Sequence, residues 1–132
     1  MAEKPAAEVV FARVTEEPID LAALQRDVAA LVVASGTHAD TRNSTERYQR
    51  LIDRGLPLVL INGTRDEVAD HCLACDDALG VEMALEHLVS LGHRRIGLAV
   101  GPRHFVPVRR KVRAVRAVGE RLGVQVDVEH TF

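Results

Sequence analysis

The sequence predicts an α/β fold: a mainly parallel β-sheet with helices on both faces. Three observations carry this. The short apolar runs Ala30–Ala34, Pro57–Ile61 and Arg95–Val100 have the character of strands covered on both sides. Stretches with apolar residues at helical spacing lie between them. Those stretches are long enough to act as right-handed crossovers between parallel neighbours.

Taken in order, Val9–Val14 reads as a first strand. Asp20 can cap a short helix with Leu21, Leu24 and Val28 on its apolar side. After the Ala30–Ala34 strand, Asn43 and Glu46 form an Asn-initiated capping box. That helix turns Tyr48, Leu51 and Ile52 to one side, and Gly55 and Pro57 end it. Pro57–Ile61 is the next strand, and Leu73–Asp76 a very short one. Asp76 or Asp77 caps a helix over about Ala78–Leu91, with Val81, Leu85 and Leu88 on one stripe. Gly92 stops it, and His93, Arg94 and Arg95 follow where cations favour a helix C-terminus. After the Arg95–Val100 strand, a helix over about Pro107–Leu122 aligns Val108, Val112, Val115 and Leu122. Gly123 ends it, and Val124–Val128 reads as the last strand.

Composition excludes several functions. The chain has 132 residues, 47% hydrophobic and 27% charged, with a formal net charge of −2. That balance supplies no global field for nucleic acid. Tyr48, Phe11, Phe105 and Phe132 are the only aromatics of their kind and there is no Trp, so stacking platforms for single strands are not expected. No apolar run approaches the roughly 20 residues that span a bilayer. Met1 to Glu8 lacks the apolar core of a secretory signal. Two cysteines make no disulfide framework. A cytoplasmic location is expected, with no membrane partner and no cofactor.

Three segments then stand out: LVVAS at 31–35, GLPLVLING at 55–63 and CDDALGVEMALEHLVSLGHRRIGLAVGP at 75–102. Together they resemble the effector-sensing domain of the lactose-repressor (LacI/GalR) family of transcription regulators. The match covers about Ala30 to Leu122, and His87-Leu88 through Leu91-Gly92-His93-Arg94-Arg95-Ile96 is its most diagnostic stretch. The resemblance implies a fold like that of periplasmic sugar-binding proteins, apparently incomplete. Residues 1–102 would be part of the N-terminal subdomain, and 103–132 the start of the C-terminal one. It implies a truncated form: no DNA-binding headpiece, no first strand and helix, and little of the second lobe. The function implied is sensing of a small-molecule effector, a sugar, by closure of a cleft and a shift in population. DNA would be contacted only through the missing headpiece. The family's dimer implies a homodimer, whose interface would lie largely in segments outside this match.

The resemblance also implies site residues at strand carboxyl ends, where α/β sheets bind ligands. Ser35 would hydrogen-bond the effector, or else satisfy a local turn. Asn62 replaces the family's frequent Asp and suits sugar hydroxyls, although Asn62-Gly63 is also a turn signal. Asp76 would line the cleft near the hinge, cap a helix, or do both. Lys111 falls where the family places an Arg that grips the effector, and loses the planar fork. Arg109 is the alternative if the alignment slips by two.

Other readings compete with this one. The basic run Arg109, Arg110, Lys111, Arg113 and Arg116, preceded by Arg103 and His104, could bind nucleic acid. Its apolar stripe favours a solvated helix face instead. Cys72 and Cys75 form a C-x-x-C whose metal or redox use needs both thiols on one side. An extended 72–76 would point them apart. A stand-alone sugar-binding protein of periplasmic type is the main alternative function. No nucleophile, Walker or dinucleotide motif supports an enzyme.

Overall fold

The computed structural model describes residues 28–34 and 36–130. The expected strand Val9–Val14 and most of the helix after Asp20 lie outside the described residues. Val28, the last apolar position of that helix, is not helical.

The first sheet is built from β1 (Leu31–Val33), β2 (Leu58–Ile61) and β3 (Cys72–Leu73), side by side in that order and all parallel. Leu31 pairs with Leu58 and Leu60 with Cys72. Helix α1 (Glu46–Asp53) makes the first crossover. A 3-10 segment, Asp66–His71, kinked at Val68, makes the second. The core is Tyr48, Leu58, Leu60 and Val68, with Leu31, Val33, Ile52 and Cys72 packed against it. Leu60 is completely buried.

Two expectations are corrected in this unit. The capping box from Asn43 does not form. Thr45 stands at the N-cap with no side-chain cap bond, and Asn43 Nδ2 donates instead to the Thr37 carbonyl at 3.0 Å. Among the described residues, the crossover segments also lie on one face of this sheet. Val32 and Leu73 are 64% and 63% exposed, and Val59 is exposed beside them. The reason is topological. Successive right-handed crossovers that advance in one direction place their helices on the same face. Both crossovers here run β1 to β2 to β3, so α1 and the 3-10 segment share one side.

The second unit has its own sheet. Helix α2 (Asp77–Ser90) follows β3. Strands β4 (Arg95–Val100) and β5 (Gln125–His130) pair in parallel over six positions, from Arg95–Gln125 to Val100–His130. Helix α3 (Val106–Leu122) is their crossover. Thus β4 does not join the first sheet, and a boundary after residue 102 falls between two strands of one ladder. The α/β class and the parallel strands stand; the described strands divide into two sheets, with β4 in the second rather than the first.

Helix α3 buries Ala114, Val115 and Gly119. At Gly119 an added Cβ would lie 2.9 Å from Val126 Cγ2, so glycine lets α3 settle directly on β5. Helix α2 packs alongside α3, tied by Arg121 to Glu82 and to Glu86. The three described α-helices end in one way. At the end of α2, His93 N–H reaches the Leu88 carbonyl at 3.1 Å and Gly92 N–H that of Val89 at 2.9 Å. Gly92 has φ 91°, a left-handed conformation that favours glycine. Gly55 and Gly123 repeat the pattern after α1 and α3.

Candidate functional site

Where the two units meet, an open cleft of 730 Å³ runs between the carboxyl ends of β2 and β3 and the flank of α3. Thr64 lies on one side. The crossing segment that carries Cys75, Asp76 and Asp77 forms the floor, and Arg110 and Arg113 line the other side. Helical spacing explains the last pair: positions 110, 113 and 117 share a flank of α3 turned away from its buried side.

The expected residues divide unevenly. Ser35 lies outside the described residues. Asp76 lines the cleft and also caps α2: its Oδ1 accepts from Ala78 N–H at 3.0 Å and Leu79 N–H at 2.9 Å. Lys111 is ion-paired to Asp77 across the α2–α3 contact. The Asp77 side chain is 10% exposed and that of Lys111 42%. Arg109 is exposed on α3 in an adjoining groove with Arg103, Arg116 and Glu120, which shares Arg113 and Ala117 with the cleft. Asn62 is exposed, with φ 72°, and its N–H donates to the Leu73 carbonyl at 2.9 Å. It therefore shapes the turn at the end of β2. The structure brings Asp76 and Lys111 together through Asp77, and it separates Arg109 from them.

The two cysteines behave differently from each other. Cys72 packs against the core and its thiol donates to the Val68 carbonyl at 3.2 Å. Cys75 is exposed in the cleft. The described residues contain no group of three or more His, Cys, Asp or Glu that could hold a metal ion.

A buried polar cluster lies beside the second join between the units. Asp40, 6% exposed, accepts from the N–H of Arg42 at 2.9 Å and from its guanidinium at 2.8 Å. His104 Nε2 is 3.8 Å from the same carboxylate. The backbone joins the units here as well: Asp40 forms an antiparallel bridge with Phe105, and Thr41 N–H donates to the His104 carbonyl at 2.8 Å. Hydrogen bonds from Arg42 hold the Asp40 carboxyl down at about 2, and the Arg42 and His104 charges act in the same direction. Next to it His38 is 1% exposed, edge-on to Tyr48, and neither ring nitrogen has a protein hydrogen bond of standard geometry. Burial pulls its pKa below the ordinary value, against a weaker opposing pull from the Ile61 backbone.

Sequence reasoning pointed to Asp76-Asp77 at a strand's carboxyl end but missed Thr64, Arg110 and Arg113 as cleft residues, and the Asp40 cluster entirely. A helical wheel of residues 106–122 places Arg113 between Arg110 and Arg109, so periodicity alone did not mark the cleft side of this basic run.

No family model matches the chain. Among curated proteins it is 43% identical to the HTH-type transcriptional regulator MalR of Streptomyces coelicolor over 114 residues, 86% of this chain and 33% of that protein. It is 45% identical to the HTH-type transcriptional regulator reg1 of Streptomyces lividans, over 84% of this chain and 32% of that one. The ribose operon repressor of Escherichia coli is 27% identical over 73% of this chain. The chain thus spans about a third of the length of the curated relatives it matches. Among solved structures, a LacI family transcriptional regulator from Bifidobacterium animalis superposes with a TM-score of 0.70 at 18% identity, over 92% of this chain and 45% of that one. A probable maltose operon repressor from a Staphylococcus gives 0.63 at 19% identity, over 82% and 37%. At such identities these two structures speak for the fold.

Proposed function

Since the chain belongs to the lactose-repressor (LacI) family of transcription regulators, matching relatives over about a third of their length, we propose that it carries part of the effector-sensing cleft. The ligand is a small sugar, held between the two units. One observation supports this most: the cleft lies at the carboxyl ends of β2 and β3, against a helix of the second unit. Open parallel sheets bind ligands there. A ligand touching both sides binds the closed arrangement better and shifts the population towards it.

In this reading the subdomain boundary is the crossing at 74–76, and Asp76 serves both as helix cap and as cleft floor. Asn62 acts by shaping the turn. Lys111 acts through Asp77 and Arg109 does not reach the ligand. Ser35 remains a candidate from the carboxyl end of β1. The operon names of the ribose and maltose repressors favour a carbohydrate. Contact with DNA belongs to the helix-turn-helix for which the relatives are named. The chemistry is regulation without catalysis.

Calorimetric titration of the chain with maltose, ribose and glucose tests the proposal. Saturable binding of at least one sugar, weakened by Asp76→Ala beyond its effect on the melt, is expected. Heats of dilution alone for all three would overturn it.

A further inference from the structure

We propose that His38 is an acid-released latch on the second join between the units: neutral, it keeps the 37–41 turn seated against Phe105; protonated, it unseats that turn. The latch governs how the two units are held together, so it stands whatever the cleft takes.

Three features of geometry meet at this residue. First, His38 is 1% exposed, and neither ring nitrogen has a hydrogen bond of standard geometry. A neutral imidazole tolerates such a site at modest cost, whereas an imidazolium needs acceptors for two N–H groups and compensation for its charge. Secondly, the site is closed by ring and backbone. Tyr48 of α1 meets the imidazole edge-on at 6.1 Å, and a Cβ on Gly63 would lie 3.1 Å from its Cδ2. Thirdly, the same turn makes the join. Asp40 forms the bridge with Phe105, and Thr41 N–H donates to the His104 carbonyl.

The ionisable groups around the ring do not offset its charge. Burial pushes the Tyr48 phenol further up, so it stays neutral, and Arg47 stands 5.5 Å from the Tyr48 ring. From the ring's own turn, the Asp40 carboxylate is engaged by Arg42, with His104 of the second unit facing it. Arg65 donates to the Asp40 and Asn43 carbonyls. Among the described residues His38 has no ion pair.

Proton uptake is therefore linked to opening. Burial holds the ring below 6.5 while the turn is seated, and in water the ring regains that ordinary value. The seated turn is thus favoured fully above pH 6.5, and opening gains as pH falls, by up to roughly thirtyfold at pH 5. The β1–β2 and β4–β5 ladders do not run through residues 37–41, so the turn can open without them.

Amide hydrogen exchange of the whole chain, resolved by residue at pH 8 and pH 5 and corrected for intrinsic rates, tests this. Protection of the Thr41 amide is expected to fall roughly tenfold or more. The Leu31 amide, bonded to Pro57 in the first unit, and that of Gln125, bonded to Arg94 in the second, should hold. His38→Leu should abolish the fall at Thr41, and His104→Gln should preserve it. Equal protection of Thr41 at both pH values would overturn the latch, as would a fall that survives in His38→Leu or vanishes only in His104→Gln. Parallel losses at Leu31 and Gln125 would replace it with unfolding of the whole chain. The parent alone provides a second check: the His38 ring, followed by NMR, must titrate below 6.5, and a midpoint at or above that value would sink the idea even if His38→Leu did not fold.

Discussion

Gly63 and Ala39 approach so closely that a Cβ on residue 63 would lie 2.5 Å from that of Ala39 and 2.9 Å from its Cα. The Ala39 backbone cannot yield as a flexible side chain would. Gly63→Ala should therefore cost about 1–3 kcal/mol, as overpacking does. Urea melts measure it; an unchanged midpoint would mean that the 37–40 turn sits further from β2.

Asp76→Ala removes the cap of α2 and should cost about 1 kcal/mol. Asp76→Asn keeps the accepting oxygen and should restore most of that stability. Any loss of ligand affinity that persists in Asp76→Asn then reports on the cleft.

Lys111→Met leaves the Asp77 carboxylate nearly buried without its partner. Because the lysine end is half in solvent, the loss should be modest, about 1 kcal/mol. A double-mutant cycle with Asp77→Asn checks the pair. The double variant should recover part of the loss; simple additivity would show that the two side chains do not couple.

Acid sensitivity should come from Asp40. Its folded pKa, about 2, lies below the ordinary 3.8, so below pH 4 the unfolded chain binds the proton more readily. The stability it contributes is complete above the ordinary value and is lost as pH falls through about 2. Asp40→Asn should flatten the melt-versus-pH curve in that window. A curve with unaltered slope would place the acid sensitivity elsewhere.

His38 acts in a higher window. Burial depresses its pKa from 6.5, so the folded chain holds it neutral while the unfolded chain protonates it. Its contribution is full above pH 6.5 and declines below. His38→Leu replaces unsatisfied polar atoms by an apolar side chain of similar size. It should be more stable than the parent at pH 5.5 and about equal at pH 8. A large loss at both values would reveal a partner for the ring.

Strand β4 was legible to the residue, and all three helix stops were, because a glycine after an apolar stripe needs only local physics. The sheet that β4 joins was not legible. Its apolar run would suit either ladder, and the choice depends on where α2 carries the chain. The α1 cap failed for a similar reason: Asn43 had a distant competitor in the Thr37 carbonyl. In the site, Asp76 could be read as a cap from its place before the α2 stripe. Arg110 and Arg113 were hidden inside a basic run, since a run of like charges does not say which members line a cleft.

Among the described residues, the two units are joined covalently through residues 74–76 and through the backbone contacts of Asp40 and Thr41 with Phe105 and His104. Two points of attachment define a line. Torsion about that line stretches neither join, whereas sliding or separation strains one of them. The softest distortion is thus a twist with its pivot in the cleft floor, swinging Arg110 and Arg113 across Thr64 while Asp76 stays nearly still. Recognition and motion would then share one lever, with its fulcrum at residues 74–76.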